Sequence, residues 1–312
     1  MAAPLALLAF VAGVVIVIVA TERLLDGLVG IATAARVAPF VASAILSGME
    51  AENVAVGLAA AGRGAADIAL GTAFGGAVFL LCFALGAGAL IAPLKVRVPR
   101  GVVVLIPGSA ALAGLPVLFG ATPRWTGLVL LVAFVLAVAY LVRASRDHTF
   151  VDDEEIREAA ERPRSVRASV AWTVIGLAAI AVGGELVASG ADGLITSLGL
   201  SAGLIGMVVT PFAIEAEEIA RQVVPTRAGY HDVAAGNTVG TMVWFTLFNL
   251  GLIALLTPVI VPDRVRLLDW PALCVAALAA AAFLWRGRVG RLEGSLLVGL
   301  GFAFAGLHLI VA

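Results

Sequence analysis

Glutamates cluster at two places in this chain, with a spacing that chemistry can use. "GMEAENVAVG" (48–57) carries Glu50, Glu52 and Asn53, and "AIEAEEIARQ" (213–222) carries Glu215, Glu217 and Glu218. Glu50 with Asn53, and Glu215 with Glu218, stand at i,i+3, which puts both members of a pair on one helix face. Each cluster can therefore aim two oxygen-bearing side chains at one point. Carboxylate and amide oxygens are the ligands that hard cations such as Ca2+ take. Glu52 and Glu217 lie on other faces of their helices and require another role. Crowded carboxylates in a low-dielectric cavity cannot all stay ionised, so protons return to the cluster when a metal leaves, and proton coupling follows.

The elements that hold these residues are dictated by composition. With 312 residues, 62% hydrophobic and 13% charged, and a mean hydropathy of +1.09, the chain is an all-α integral membrane protein rather than a soluble domain. A crossing takes about 20 residues, so at roughly 30 residues per span plus loop the length allows around ten helices. No basic stretch points to nucleic acid; the partners implied are the lipid bilayer and metal cations as substrates, with oligomeric state left open. A glutamate at the centre of a membrane helix costs several kcal/mol, so the acidic clusters must face a wet, protein-lined cavity. Apolar flanks, "VAPFVASAILS" before the first group of acidic residues and "VAVGLAAA" after it, argue against solvated helix ends.

Spans are expected near 4–20, 38–62, 67–92, 101–120, 125–143, 169–191, 201–224, 231–257, 268–285 and 292–311. The opening run lacks a basic start and reads as a retained span, a cleavable signal being the alternative. The polar stretch at 144–168 is a linker, with a short surface helix over 152–161 and a solvated charge run. It separates a first five-helix unit, 1–143, from a second, 169–312. Loops after the odd spans hold 16 of the 20 Lys and Arg, which places them and the linker in the cytoplasm and both termini outside. Five spans per half then give the halves opposite topology.

Internal repeats agree with that inversion. "TERLLDGLVGIA" (21–32) pairs with "GELVASGADGLI" (184–195) at an offset of 163, matching Glu22/Glu185, Leu24/Val187 and Gly27/Gly190. At an offset of 165, residues 48–76 pair with 213–241, matching Glu50/Glu215, Glu52/Glu217, Asp67/Asp232, Gly71/Gly236 and Gly75/Gly240. Acidic residues at corresponding midpoints of inverted repeats are how secondary transporters hold ions near the bilayer midplane.

Over nearly its whole length the chain resembles the calcium:cation antiporter superfamily of the sodium/calcium exchanger type. The most specific stretch is "GGELVASGADGLITSLGLSAGLIGM" (183–207), similar to the family's Gly-Ala-Glu-Leu-Leu-Val-x-Gly-Ala lead into its second motif. In the family the Glu of Gly-Thr-Ser-x-Pro-Glu stands 18 positions before a Gly-Asn block; here Asn53 to Gly71 and Glu218 to Gly236 keep that spacing. Carried over by position, the resemblance implies that the two ion-binding glutamates fall on Asn53 and Glu218, and the preceding serines on Glu50 and Glu215. The helix-breaking prolines fall on Glu52 and Glu217, although Pro211 can break the seventh span slightly earlier. Asn237 and Thr241 keep polar positions of the second block, whereas two further ligand positions fall on apolar Leu80 and Phe245. The chain is thus a divergent member, and loss of those two ligands weakens the case for several separate sodium sites.

Other residues read as structural. Asp67 and Asp232 suit helix N-capping; Gly71, Gly75, Gly76, Gly236 and Gly240 suit close helix packing; Glu22 and Glu185 suit matched, interfacial helix ends. Cys82 and Cys274 read as small buried hydrophobes, and His148, His231 and His308 have no ligand-like spacing. Arg221, three residues after Glu218 and four after Glu217, can neutralise one of them and so subtract from the ion site. The expected function is a secondary cation antiporter in the cell membrane, moving Ca2+ or another divalent ion against H+ or Na+, with no cofactor beyond the transported cation and no enzymatic chemistry. Alternatives are an Na+/H+ antiporter on the same glutamates and a transport-dead membrane protein with a regulatory or interaction role.

Overall fold

The computed structural model describes residues 2–34, 49–144, 165–215, 218–228 and 231–310. Eleven helices account for most of them: α1 (Ala3–Ala34), α2 (Ala51–Gly62), α3 (Ala66–Ile91), α4 (Arg100–Leu118), α5 (Arg124–Ala144), α6 (Val166–Leu198), α7 (Ala202–Ile214), α8 (Glu218–Ala228), α9 (residues 231–256), α10 (Val265–Trp285) and α11 (Arg291–Ile310). Two-residue strands β1 (Leu94–Lys95) and β2 (Arg288–Val289) pair antiparallel. Among the described residues, eight helices (α1, α3, α4, α5, α6, α9, α10 and α11) are long and apolar enough to cross a bilayer. Within those spans α3 is 83% buried and α9 72%, against 28% for α5, α6 and α11, so α3 and α9 form the centre and the others carry the lipid-facing surface.

Several boundaries differ from the sequence expectation, each for a physical reason. The helix expected over 4–20 runs on to Ala34, because Thr21 to Gly27 are tolerated in a helix and Arg23 stands 3.9 Å from Asp26 at i,i+3. Glu22 thus lies within α1 rather than at its end. Helix α6 starts at Val166, where the Ser165 hydroxyl accepts from the Ala168 N–H, and so takes in residues 166–168 assigned above to the linker. It continues to a left-handed Gly199 (φ 65°), which places Glu185 mid-helix; there Glu185 and Asp192 both pair with Arg63 at the end of α2. The second expected span falls partly on residues outside those described, as do the surface helix over 152–161 and His148. The seventh is divided into α7 and α8.

Contacts between the halves come in matched pairs. Helices α1 and α6 pack antiparallel: Gly13 lies against Val187, and Gly176 against Leu24. Likewise Gly27 lies against Thr173, and Gly190 against Phe10. Adding 163 to the first-half member of one contact gives the second-half member of its mate. A Cβ on Gly13 would stand 2.6 Å from the Val187 nitrogen, so these positions admit no side chain without separating the helices. Strand β1, following α3, meets β2, following α10, and the Ala121–Ile260 bridge joins the loops after α4 and α9 in the same exchanged manner. Helix α3 passes through a π-helical turn at Leu80–Ala84, and α9 through one at Trp244–Asn249, about 165 residues on.

Polar side chains tie this core together. The Arg264 guanidinium pairs with Asp67 of α3, lies over Gly203 of α7, and stands 3.9 Å from Asp269. His308 Nε2 of α11 is 2.9 Å from Asp269 Oδ1, both residues being wholly buried. Asp67 therefore does not cap its helix, whose N-cap is Ala65 with no side-chain bond; a cation nearly 200 residues away claims the carboxylate instead. The Asp232 side chain lies outside the described atoms. Cys82 is buried as expected, whereas Cys274 is only partly so.

Candidate functional site

Three of the glutamates occupy interior helix ends. Glu50 is the N-cap residue of α2, Glu215 the C-cap residue of α7, and Glu218 the first residue of α8. The N-termini of α2 and α8 leave N–H groups unpaired within the helix and present the positive end of the helix dipole, which favours carboxylates there. Pro211 does not make the break: it lies inside α7, directly after a π-helical turn at Ile205–Val209, and the helix continues past it to Ile214. The chain leaves the helix at Glu215 itself.

The acidic residues of the two halves meet. Glu50, Glu52, Glu215 and Glu218 are each no more than 3% exposed, and Asn53 is fully buried. Asn53 Nδ2 donates to Glu50 Oε2 at 3.2 Å and also to Glu215 Oε1, so one amide joins carboxylates 165 residues apart. Asn237 Nδ2 donates to Glu218 Oε2 at 3.0 Å, and Arg221 Nη1 reaches Glu218 Oε1 at 2.8 Å and Glu50 Oε1 at 3.9 Å. Buried oxygens of Asn53 (Oδ1), Thr241 (Oγ1) and Thr210 (Oγ1) have no hydrogen-bond partner. Such oxygens, with the carboxylates, are ligands for a hard cation. Among the described residues no three His, Cys, Asp or Glu side chains are grouped to hold one metal ion; N–H donors of Asn53 and Arg221 stand between the carboxylates instead.

Most of the predicted residues are brought together. Glu52, set on another face of its helix from Glu50 and Asn53, is also buried. Glu217 lies outside the described residues. Sequence reasoning missed the flanking polar contacts: Asn249 Nδ2 donates to Thr72 Oγ1 at 3.1 Å, linking α9 to α3, and Gln222 Nε2 donates to Thr238 Oγ1 at 2.9 Å, linking α8 to α9. A lone Asn in the apolar run "WFTLFNLGLIALL" was the available signal for the first.

The chain matches known proteins along nearly its whole length. A family model described as sodium/calcium exchanger protein matches residues 5–143 and 168–309. The chain belongs to the sodium/calcium exchanger family. The exchanger is 28% identical over 260 residues to the inner membrane protein YrbG of Escherichia coli (strain K12), covering 81% of this chain and 80% of that one. It is 26% identical over 315 residues to CaxA of Alkalimonas amylolytica, a candidate antiporter by its name, covering 96% of each. Its fold superimposes on the crystal structure of the H+/Ca2+ exchanger CAX with a TM-score of 0.76 at 14% identity, covering 98% of this chain and 86% of that one. The exchanger is thus a multi-pass membrane protein of a family whose function is cation antiport. Its apolar departures from the family pattern, Leu80 and Phe245, are both wholly buried and both lie in the π-helical turns of the central helices.

Proposed function

We propose that this exchanger carries Ca2+ or another divalent cation against H+ or Na+ by alternating access, holding the ion among Glu50, Asn53, Glu215 and Glu218, with Glu52, Glu217, Asn237 and Thr241 around it. The observation that carries the reading is the Asn53 amide joining Glu50 to Glu215, because it puts carboxylates of both repeats at one buried point. Its frame is ten spans in an inverted five-plus-five repeat, units 1–143 and 169–312, with a cytoplasmic linker at 144–168 and both termini outside. Support comes from the antiparallel α1 and α6, whose contacts exchange between halves, and from the matched π-helical turns. The bias of Lys and Arg towards the odd loops supports the orientation. A site between such repeats is where rocking of one bundle against the other changes access.

Protons and the metal compete for the same oxygens, so Ca2+ binding to the purified exchanger, measured by calorimetry, should tighten as pH rises. Affinity independent of pH from about 5 to 9 would remove the proton-coupled form and leave sodium as the counter-ion. One observation favours a second reading, an Na+/H+ antiporter: among the described residues the carboxylates stand bridged by N–H donors rather than grouped in threes. Heat of binding with Na+ but none with Ca2+ or Mn2+ would select it.

A further inference from the structure

Arg221 holds a position in the carboxylate cluster that a transported cation would need. It lies one turn beyond Glu218 on α8 and reaches both Glu218 of its own half, at 2.8 Å, and Glu50 of the other, at 3.9 Å. Its side chain is 26% exposed, whereas both carboxylates are 1% exposed, so the guanidinium approaches the pair from the accessible side. At the offset of 165 that relates the halves, the matching residue is Val56, apolar and wholly buried. The fixed positive charge is therefore supplied by one half alone.

We infer that Arg221 is a tethered competitor for the transported cation. Its guanidinium occupies the space between Glu218 and Glu50, an entering cation displaces it, and its return expels the cation and compensates the carboxylates. Bare carboxylates within a membrane protein are costly, and an exchange cycle must compensate them each time the substrate leaves. A guanidinium is suited to this because it stays charged at every relevant pH and binds carboxylates through a rigid fork of N–H donors. Displacing it subtracts from affinity, and its return speeds release. Arg221 thereby sets how weakly the site holds its substrate, which conduction through a buried site requires.

This rests on reading the cluster as the cation site, and one experiment separates the two. Purified full-length wild type, Arg221→Gln and Arg221→Lys are titrated with Ca2+ and with Na+ by calorimetry, and initial exchange rates are measured at saturating cation in proteoliposomes. Arg221→Gln should bind at least about tenfold more tightly than wild type and turn over more slowly, because a buried charge contact no longer has to be broken. Arg221→Lys, which keeps the charge but not the fork, should fall between them and also reads the effect should the Gln variant not fold. Wild type that binds while both variants bind equally or more weakly overturns the inference and leaves Arg221 a positioning residue for Glu218. Wild type that binds neither cation overturns the site reading itself, and the inference with it.

Discussion

Glu218→Gln, Glu215→Gln and Glu50→Gln should each abolish cation exchange while the protein still inserts and folds. All three carboxylates are almost wholly buried, and each is already engaged by an N–H donor or a guanidinium within the cluster. Glutamine keeps the shape and one acceptor oxygen, so Asn53 retains an oxygen to donate to at positions 50 and 215, and Asn237 at 218. What is lost is a formal charge in a place where water cannot replace it. Removing one partner of a buried charge contact costs about 2–5 kcal/mol, or roughly thirty- to several-thousandfold in affinity. The three variants should bind cation weakly or not at all, with melting temperatures near wild type for 50 and 215. Glu218→Gln should melt somewhat lower, since Arg221 loses its carboxylate there. Asn53→Glu should depart from this pattern: it restores the glutamate implied by the family resemblance but adds a like charge, moving the exchange optimum to lower pH, where one carboxyl is protonated.

Gly71→Leu should leave no stable protein. At this point α3 crosses α7 backbone to backbone, and a Cβ on Gly71 would run into the carbonyl of Gly206. Neither partner is a side chain that can rotate away, so the helices must separate or the substitution is not accommodated. Membrane helices associate through close packing rather than through expulsion of water, and a forced gap removes those contacts. Overpacking in a tight interior costs about 1–3 kcal/mol and more when backbone must move, so Gly71→Ala alone should lower the melting temperature measurably. Gly108→Ala is the control, because nothing stands within 4 Å of a Cβ at that helical position. Size-exclusion profiles and thermal melts of the three variants check this, and a Gly71→Leu protein that melts like wild type would contradict the packing.

The acidic clusters were legible because a carboxylate in an apolar run has few ways to exist. Their i,i+3 spacing correctly joined Glu50 with Asn53, and the repeat correctly paired residues 50 and 215. Helix lengths were less legible. Polar residues such as Glu22 and Arg23 suggested an end at residue 20, yet a helix long enough to tilt or project carries them without breaking. The capping role given to Asp67 followed a sound local rule, and Arg264, far off in sequence, overrode it. Contacts of this kind set most of what was missed: Asn249 on Thr72, Gln222 on Thr238, and the reach of Arg221 across to Glu50. Arg221 itself was visible as a neighbour of Glu218 at i+3, but its second carboxylate belongs to the other half and no local pattern points to it. The burial of Glu52 was out of reach for a related reason, since helical spacing orients a side chain only relative to its own helix and says nothing of the helices that cover it.

The most direct test of the account is flux. Purified exchanger is reconstituted into liposomes, and uptake of radioactive Ca2+ is followed under an imposed proton gradient, an imposed sodium gradient, or neither, with Glu218→Gln alongside. The account predicts gradient-driven Ca2+ uptake that exceeds the no-gradient control and vanishes in Glu218→Gln. Uptake that is the same with and without either gradient, or that survives in Glu218→Gln, would contradict an antiporter whose substrate is held by the buried glutamates of the two halves.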